Sequence, residues 1–348
     1  MNFFDFETQS GIDLAVCGSR NYASHESTRI LTMVSLIGGT YHCWSPVFRL
    51  NPDWIRPEKL TAPIVLYNQE TFPPQMTGDM VHVAHNAFGF DKMIWEQKLG
   101  NTPAEWLDTM ILARKQGYPG SLDELGKRLL GVSKHKGGDT MKRIMKAEWD
   151  GDKWIYKGKV GQVQQVMQYN IQDVWIMEQI YHKLDVKEDP LLPVHLAINA
   201  RGVKFDFDLA RQICLLSDQD MERAGEEITR ISGLTKEDLR SIPKMTAWLK
   251  SKGVFLENLQ KDTVERFLNE WEDVDPIVPE VLELRNAFLK ITKAKMEKAG
   301  RYLCPDGRLR DAFILYGAHT HRFTSKGVQV HNLTKGDNIG PVDTSSEG

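Results

Sequence analysis

The sequence predicts an α/β domain at the front of the chain and a mainly helical stretch after it. Strand-like and helix-like patterns alternate over the first half, a charged break follows at Lys187-Glu188-Asp189-Pro190, and helical periodicity dominates beyond it. A length of 348 residues is too great for one average core, so two or three domains are expected.

The elements are read in order. Residues 2–8 form a strand, with apolar β-rich runs at 30–37 and 81–84. Helical patterns begin at Phe90 and continue over 107–116, 121–130 and 161–184, with Ser121 and Glu124 at capping-box spacing. After the break, residues 202–206 read as a short strand. A helix-rich stretch then runs to about Arg301. Residues 280–301 alternate Leu282, Leu284, Phe288, Leu289, Ile291 and Met296 with Arg285, Lys290, Lys293, Lys295, Lys298 and Arg301, the pattern of one helix with an apolar and a basic side. Strand-like pieces follow from Leu309, then a tail rich in Gly, Asp, Ser and Thr.

Composition excludes several classes. Hydrophobic residues make up 41% and charged residues 26%, ordinary for a globular protein, and no apolar run reaches the length of a membrane span. Met1-Asn2-Phe3-Phe4-Asp5 places a carboxylate where a signal peptide needs a basic start, so a cytoplasmic location without membrane partners is expected. Cys17, Cys43, Cys214 and Cys304 are far apart and form no C-x-x-C pair, against both zinc and a disulfide framework. The net charge of −3 does not exclude nucleic acid, because phosphate is met by local patches. From 125 to 160 the chain carries ten basic residues against four acidic ones, read equally well as a solvated surface or as such a patch.

Three acidic elements carry chemistry. Asp5 and Glu7 share one face of their strand while Phe4 and Phe6 point to the other. Two carboxylates so close repel unless a cation or proton intervenes, and a divalent metal is the natural partner. Asp91, in His85-Asn86-Ala87-Phe88-Gly89-Phe90-Asp91, follows an apolar strand and opens a helix. Tyr169 and Asp173 are four apart inside a helix, on one face. Each alone has a bland reading: a solvated acidic strand, a helix-start acid favoured by the dipole, a surface Tyr–Asp pair. His82 and His85 read as structural, and Asp108 as packing or strand guidance.

Taken together, these elements resemble the three motifs of the DnaQ-like 3′→5′ exonucleases of the tyrosine subtype: D-x-E, then N-x2-3-(F/Y)-D, then Y-x3-D, in order. The resemblance implies that Asp5, Glu7, Asp91 and Asp173 hold two divalent cations, Mg²⁺ or Mn²⁺, with Tyr169 orienting the attacking water. It also implies a DNA 3′ end as substrate, with Asn86, Phe90, Lys293 and Arg322 as candidate DNA contacts.

The second half is similar to the beginning of a bacteriophage-type family A DNA polymerase. Residues 201–206 resemble the strand after the exonuclease domain, and 241–253 and 280–301 resemble the thumb. Residues 304–310 and 316–323, with Asn332-Leu333, resemble the start of the palm, where the family has T-G-R and this chain has Thr320-His321-Arg322. The fold implied is an α/β exonuclease domain, ribonuclease H-like, with a mixed sheet flanked by helices over 1–187. A mainly α-helical thumb-like segment follows over 188–305, and a partial palm with a tail over 306–348. The family's D-x-S-x-I-E and H-D-E segments are absent from these residues. The expectation is therefore proofreading hydrolysis without polymerisation, with primer-template DNA and a second polypeptide carrying fingers and palm as partners, in the host cytoplasm if the source is a phage. The alternative is a noncatalytic DNA-binding or assembly subunit of a split polymerase.

Overall fold

The computed structural model describes residues 1–51, 53, 60–73, 76, 80–100, 105–134, 142–271, 274–289 and 292–332, and of 287, 292 and 293 the backbone alone. The chain divides into two compact units, Met1–Phe205 with Arg301–Gly348, and Asp206–Gly300.

The first unit is built on a six-stranded mixed sheet in the order β4-β3-β2-β1-β5-β6, made of β1 (Asn2–Gln9), β2 (Arg29–Ile37), β3 (Thr40–Trp44), β4 (Ile64–Tyr67), β5 (His82–Ala84) and β6 (Trp106–Asp108). β1 is central, antiparallel to β2 and parallel to β5. Its alternation sorts side chains to two cores. Phe3 packs among Val163, Val166, Met167 and Ile171 of the Val160–Tyr181 helix on one face. Phe4 and Phe6 meet Trp95 of the Asp91–Lys98 helix and Trp106 on the other. Period two on the strand thus places Asp5 and Glu7 on the face of the Val160–Tyr181 helix. The β1–β2 register slips between Glu7 and Thr8, an irregularity of the kind that re-aims side chains at a sheet's functional edge.

Several expectations need correction. Residues 107 and 108 belong to β6 rather than a helix, because Leu107 and Asp108 pair in parallel with Val83 and Ala84; the helix begins at Thr109 and ends at Lys115. Ser121 does precede the Leu122–Leu130 helix, but its side chain makes no capping bond. The basic helix expected over 280–301 is two helices, Ile277–Phe288 and Thr292–Tyr302, so its stripe is divided between them. β3 and β4, and the hairpin Ala147–Trp149 with Trp154–Tyr156, were not apparent in the pattern.

Of the segment expected as a partial palm, residues 306–332 belong to the first unit, where Arg308 and Leu309 pair with Lys204 and Val203, while Leu333 and the tail lie outside the described residues. His321, which stands where the resembled family has glycine, has φ 58°, in the left-handed region that favours glycine. The turn is closed by the backbone N–H of His321 donating to Ala318 O at 2.9 Å.

The second unit is helical. Asp206 caps the Phe207–Ser232 helix by accepting from the backbone N–H of Leu209 at 2.9 Å, and Gly233, at φ 73°, ends it. Ile228, Leu239, Met245, Val281 and Phe288 form one apolar cluster, and Leu249, Val264, Val278 and Leu282 a second. The buried Arg285 donates its Nε to Leu239 O at 2.9 Å. No described cysteine is paired in a disulfide. Among the described residues no helix is long and apolar enough to cross a membrane.

Candidate active site

Three elements converge on one acidic site. β1 delivers Asp5 and Glu7, the Val160–Tyr181 helix delivers Asp173 and Tyr169, and the start of the Asp91–Lys98 helix delivers Asp91. Carboxylate oxygens of Asp5, Glu7 and Asp173 all lie within 4.8 Å of one another. Asp91 lies outside that trio but close enough to Asp5 for their charges to repel. The helix is tied to the strand by Asn170, whose amide donates to Asp5 O at 3.1 Å and to Thr32 Oγ1 at 3.3 Å.

The loop before Asp91 is held from β6. Asp108, fully buried, accepts from the backbone N–H groups of Asn86 (3.1 Å) and Phe88 (3.3 Å), and from Met110 (2.9 Å) and Ile111 (3.3 Å) as helix cap. These bonds explain how a buried carboxylate is tolerated there, and they make Asp108 the strut that positions Asp91. His85 links the same loop to Thr109 Oγ1 and Gly120 O, both at 2.9 Å, and its burial keeps the ring neutral, with a pKa down to about 4.

Electrostatics are unfavourable by construction. Burial, then the charge of Asp173, lifts the Asp5 pKa to about 7 against the pull of Lys134. Burial, then Asp5 and Asp173, raises Glu7 well above the usual range, and burial with Asp5 does the same for Asp91. Asp173 is raised by burial to about 6 although Lys134 and Tyr169 both hydrogen-bond it. Asp5 and Glu7 keep an edge open to solvent, whereas Asp91 and Asp173 are 2% exposed. Crowded carboxylates of this kind stay ionised together only with a compensating cation. The donor set fits a hard divalent ion: all ligands are oxygens, and Oδ1 of both Asp91 and Asp173 is buried without a hydrogen-bond partner.

The other expected residues are dispersed. Asn86 adopts φ 71° and lines a cleft of about 510 Å³ together with Phe88, Lys92, Arg114, Asn199 and Lys326. Phe90 packs against Tyr22, ring centroids 6.1 Å apart. Arg322 is exposed, and the side chain of Lys293 lies outside the described residues. Lys134, which reading the sequence singled out only as one member of a basic run, stands inside the site: its ammonium pairs with Asp173 and sits 4.7 Å from the centre of the Tyr169 ring. No spacing rule pointed to it.

No protein-family model matches the chain. It is 31% identical over 267 residues to a DNA polymerase of Bacillus phage SP02, a match taking in 70% of this chain and 39% of that polymerase. The POL domain of Pol1 from M. smegmatis, solved in complex with DNA primer-template and dNTP, is similar in fold with a TM-score of 0.52 at 14% identity, over 88% of this chain and 50% of that one. The chain thus spans about two fifths of the length of the phage relative it matches.

Proposed function

We propose that this DNA-polymerase-related chain carries, in its first unit, a two-metal 3′→5′ exonuclease of ribonuclease H-like fold that removes nucleotides from DNA 3′ ends. The observation that carries the reading is the cluster of Asp5, Glu7 and Asp173 with buried Asp91 beside Asp5 and Tyr169 beside Asp173.

Asp5, Glu7, Asp91 and Asp173 would hold two Mg²⁺ or Mn²⁺ ions. When bound, these ions supply a hydroxide nucleophile at neutral pH, polarise the scissile phosphate and stabilise the departing 3′ oxygen. Burial and neighbouring Asp173 keep the Tyr169 phenol protonated, so its hydroxyl donates to Asp173 and is available to orient a water. Asp108 and His85 keep the Asp91 loop fixed, so its carboxylate needs little reorganisation. A duplex end has to fray before its terminal phosphodiester reaches the partly open edge of Asp5 and Glu7, and single-stranded 3′ ends are therefore the preferred substrate. Primer-template binding belongs to the same proposal, supported by the phage DNA polymerase that the chain resembles.

The test is digestion of a 3′-labelled single strand with Mg²⁺. Asp5→Ala with Glu7→Ala is expected to lower the rate by about 10³-fold or more, because the ions contribute several kcal/mol to the transition state. An undiminished rate in a correctly folded double variant excludes the assignment.

A further inference from the structure

We propose that Lys134 is a resident counter-cation of this acidic site, holding in the metal-free protein the place beside Asp173 that a divalent ion takes, so that metal loading is an exchange of one cation for another. The proposal rests on the reading of Asp5, Glu7 and Asp173 as metal ligands.

The ammonium of Lys134 is paired with Asp173 Oδ2, while Asp173 Oδ1 is buried and has no partner. The same ammonium lies over the Tyr169 ring, the residue four positions before Asp173 on the helix. Its charge offsets the repulsion felt by Asp5, Glu7 and Asp173 alike. One positive charge is too few for three carboxylates, and a divalent ion with several oxygen ligands is the better neutraliser. Lys134 therefore offsets part of the repulsion and is the weaker of the two cations.

The backbone of Lys134 is anchored, and its side chain, though paired with Asp173, keeps contact with solvent. Its N–H donates to Asp123 Oδ1 at 2.8 Å, and Val132 N–H donates to Gly126 O at 3.2 Å, securing this stretch to the first half of the Leu122–Leu130 helix. The side chain is 26% exposed, which leaves the ammonium a way out towards solvent. A compact charge on a flexible four-carbon stem suits such an exchange, whereas a planar guanidinium held by two bonds does not.

The experiment is Mn²⁺ binding to the full chain by calorimetry, with thermal unfolding in chelator and in Mn²⁺ alongside. Lys134→Gln is expected to bind Mn²⁺ about tenfold or more tightly, the scale on which one close charge alters an equilibrium, to melt lower than wild type in chelator, and to gain more from Mn²⁺. Lys134→Arg keeps the charge and is expected to bind Mn²⁺ no more tightly than wild type, which provides a reading should the glutamine variant fold poorly. Unchanged or weaker binding by a folded Lys134→Gln overturns the exchange, as does an arginine variant that binds as tightly as glutamine is expected to. Mn²⁺ binding absent from wild type and both variants overturns the metal-site reading itself, and the exchange with it.

Discussion

The two units solve opposite problems. The first encloses Asp5, Glu7, Asp91, Asp108 and Asp173 around a central strand, accepting repulsion that a fold built only for stability would avoid. The second encloses Ile228, Leu239, Met245 and Val281, and the buried charge among its described residues, Arg285, rests on a backbone carbonyl. Apolar burial stabilises the second unit at any pH, whereas the first is held in tension until its charges are neutralised. The difference separates a unit held by apolar packing from a unit that carries crowded, partly buried carboxylates.

The sharpest way to break this comparison is to injure the apolar core. Ile228→Ala is expected to destabilise the second unit by about 2–5 kcal/mol, and hydrogen exchange should show faster opening across the Phe207–Ser232 and Ile277–Phe288 helices. The same loss of protection in β1 and β5 would mean that the two units unfold as one.

A smaller effect comes from pH. A carboxyl whose folded pKa exceeds its unfolded value stabilises the fold while protonated, and that contribution is lost as pH rises towards the folded pKa. Asp5, at about 7, and Asp173, at about 6, with Glu7 and Asp91 raised well above the usual range, place the loss between the ordinary carboxylate value of about 4 and about pH 7. In chelator the first unit should melt lower at about pH 7 than at about pH 5, by on the order of 5 °C, and Mn²⁺ should reduce the dependence. Calorimetry showing equal pH slopes with and without the ion would contradict the account. The second unit should move little.

The smallest expected effect is at a helix end. Asp206→Ala removes the cap of the Phe207–Ser232 helix and should cost about 1 kcal/mol, read as a modest shift in urea midpoint with an unchanged slope. A shift as large as that of Ile228→Ala would show that Asp206 does more than cap.

By itself the sequence determined the local facts: a strand whose alternation puts Asp5 and Glu7 on one face, a helix that puts Tyr169 and Asp173 on another, and a helix opening at Asp91. Those follow from periods of 2 and 3.6, which act between near neighbours. Short elements with little periodicity, such as β6 and the hairpin Ala147–Trp149 with Trp154–Tyr156, were decided by pairing with strands distant in sequence, and the expected helix over 107–116 yielded its start to that pairing. Only the tertiary structure set the distances within the acidic trio, gave Asp108 its role as the strut of the Asp91 loop, and brought Lys134 onto Asp173 across 39 residues of chain. Charge interactions fall off over a few ångströms in space, and sequence separation does not measure that distance.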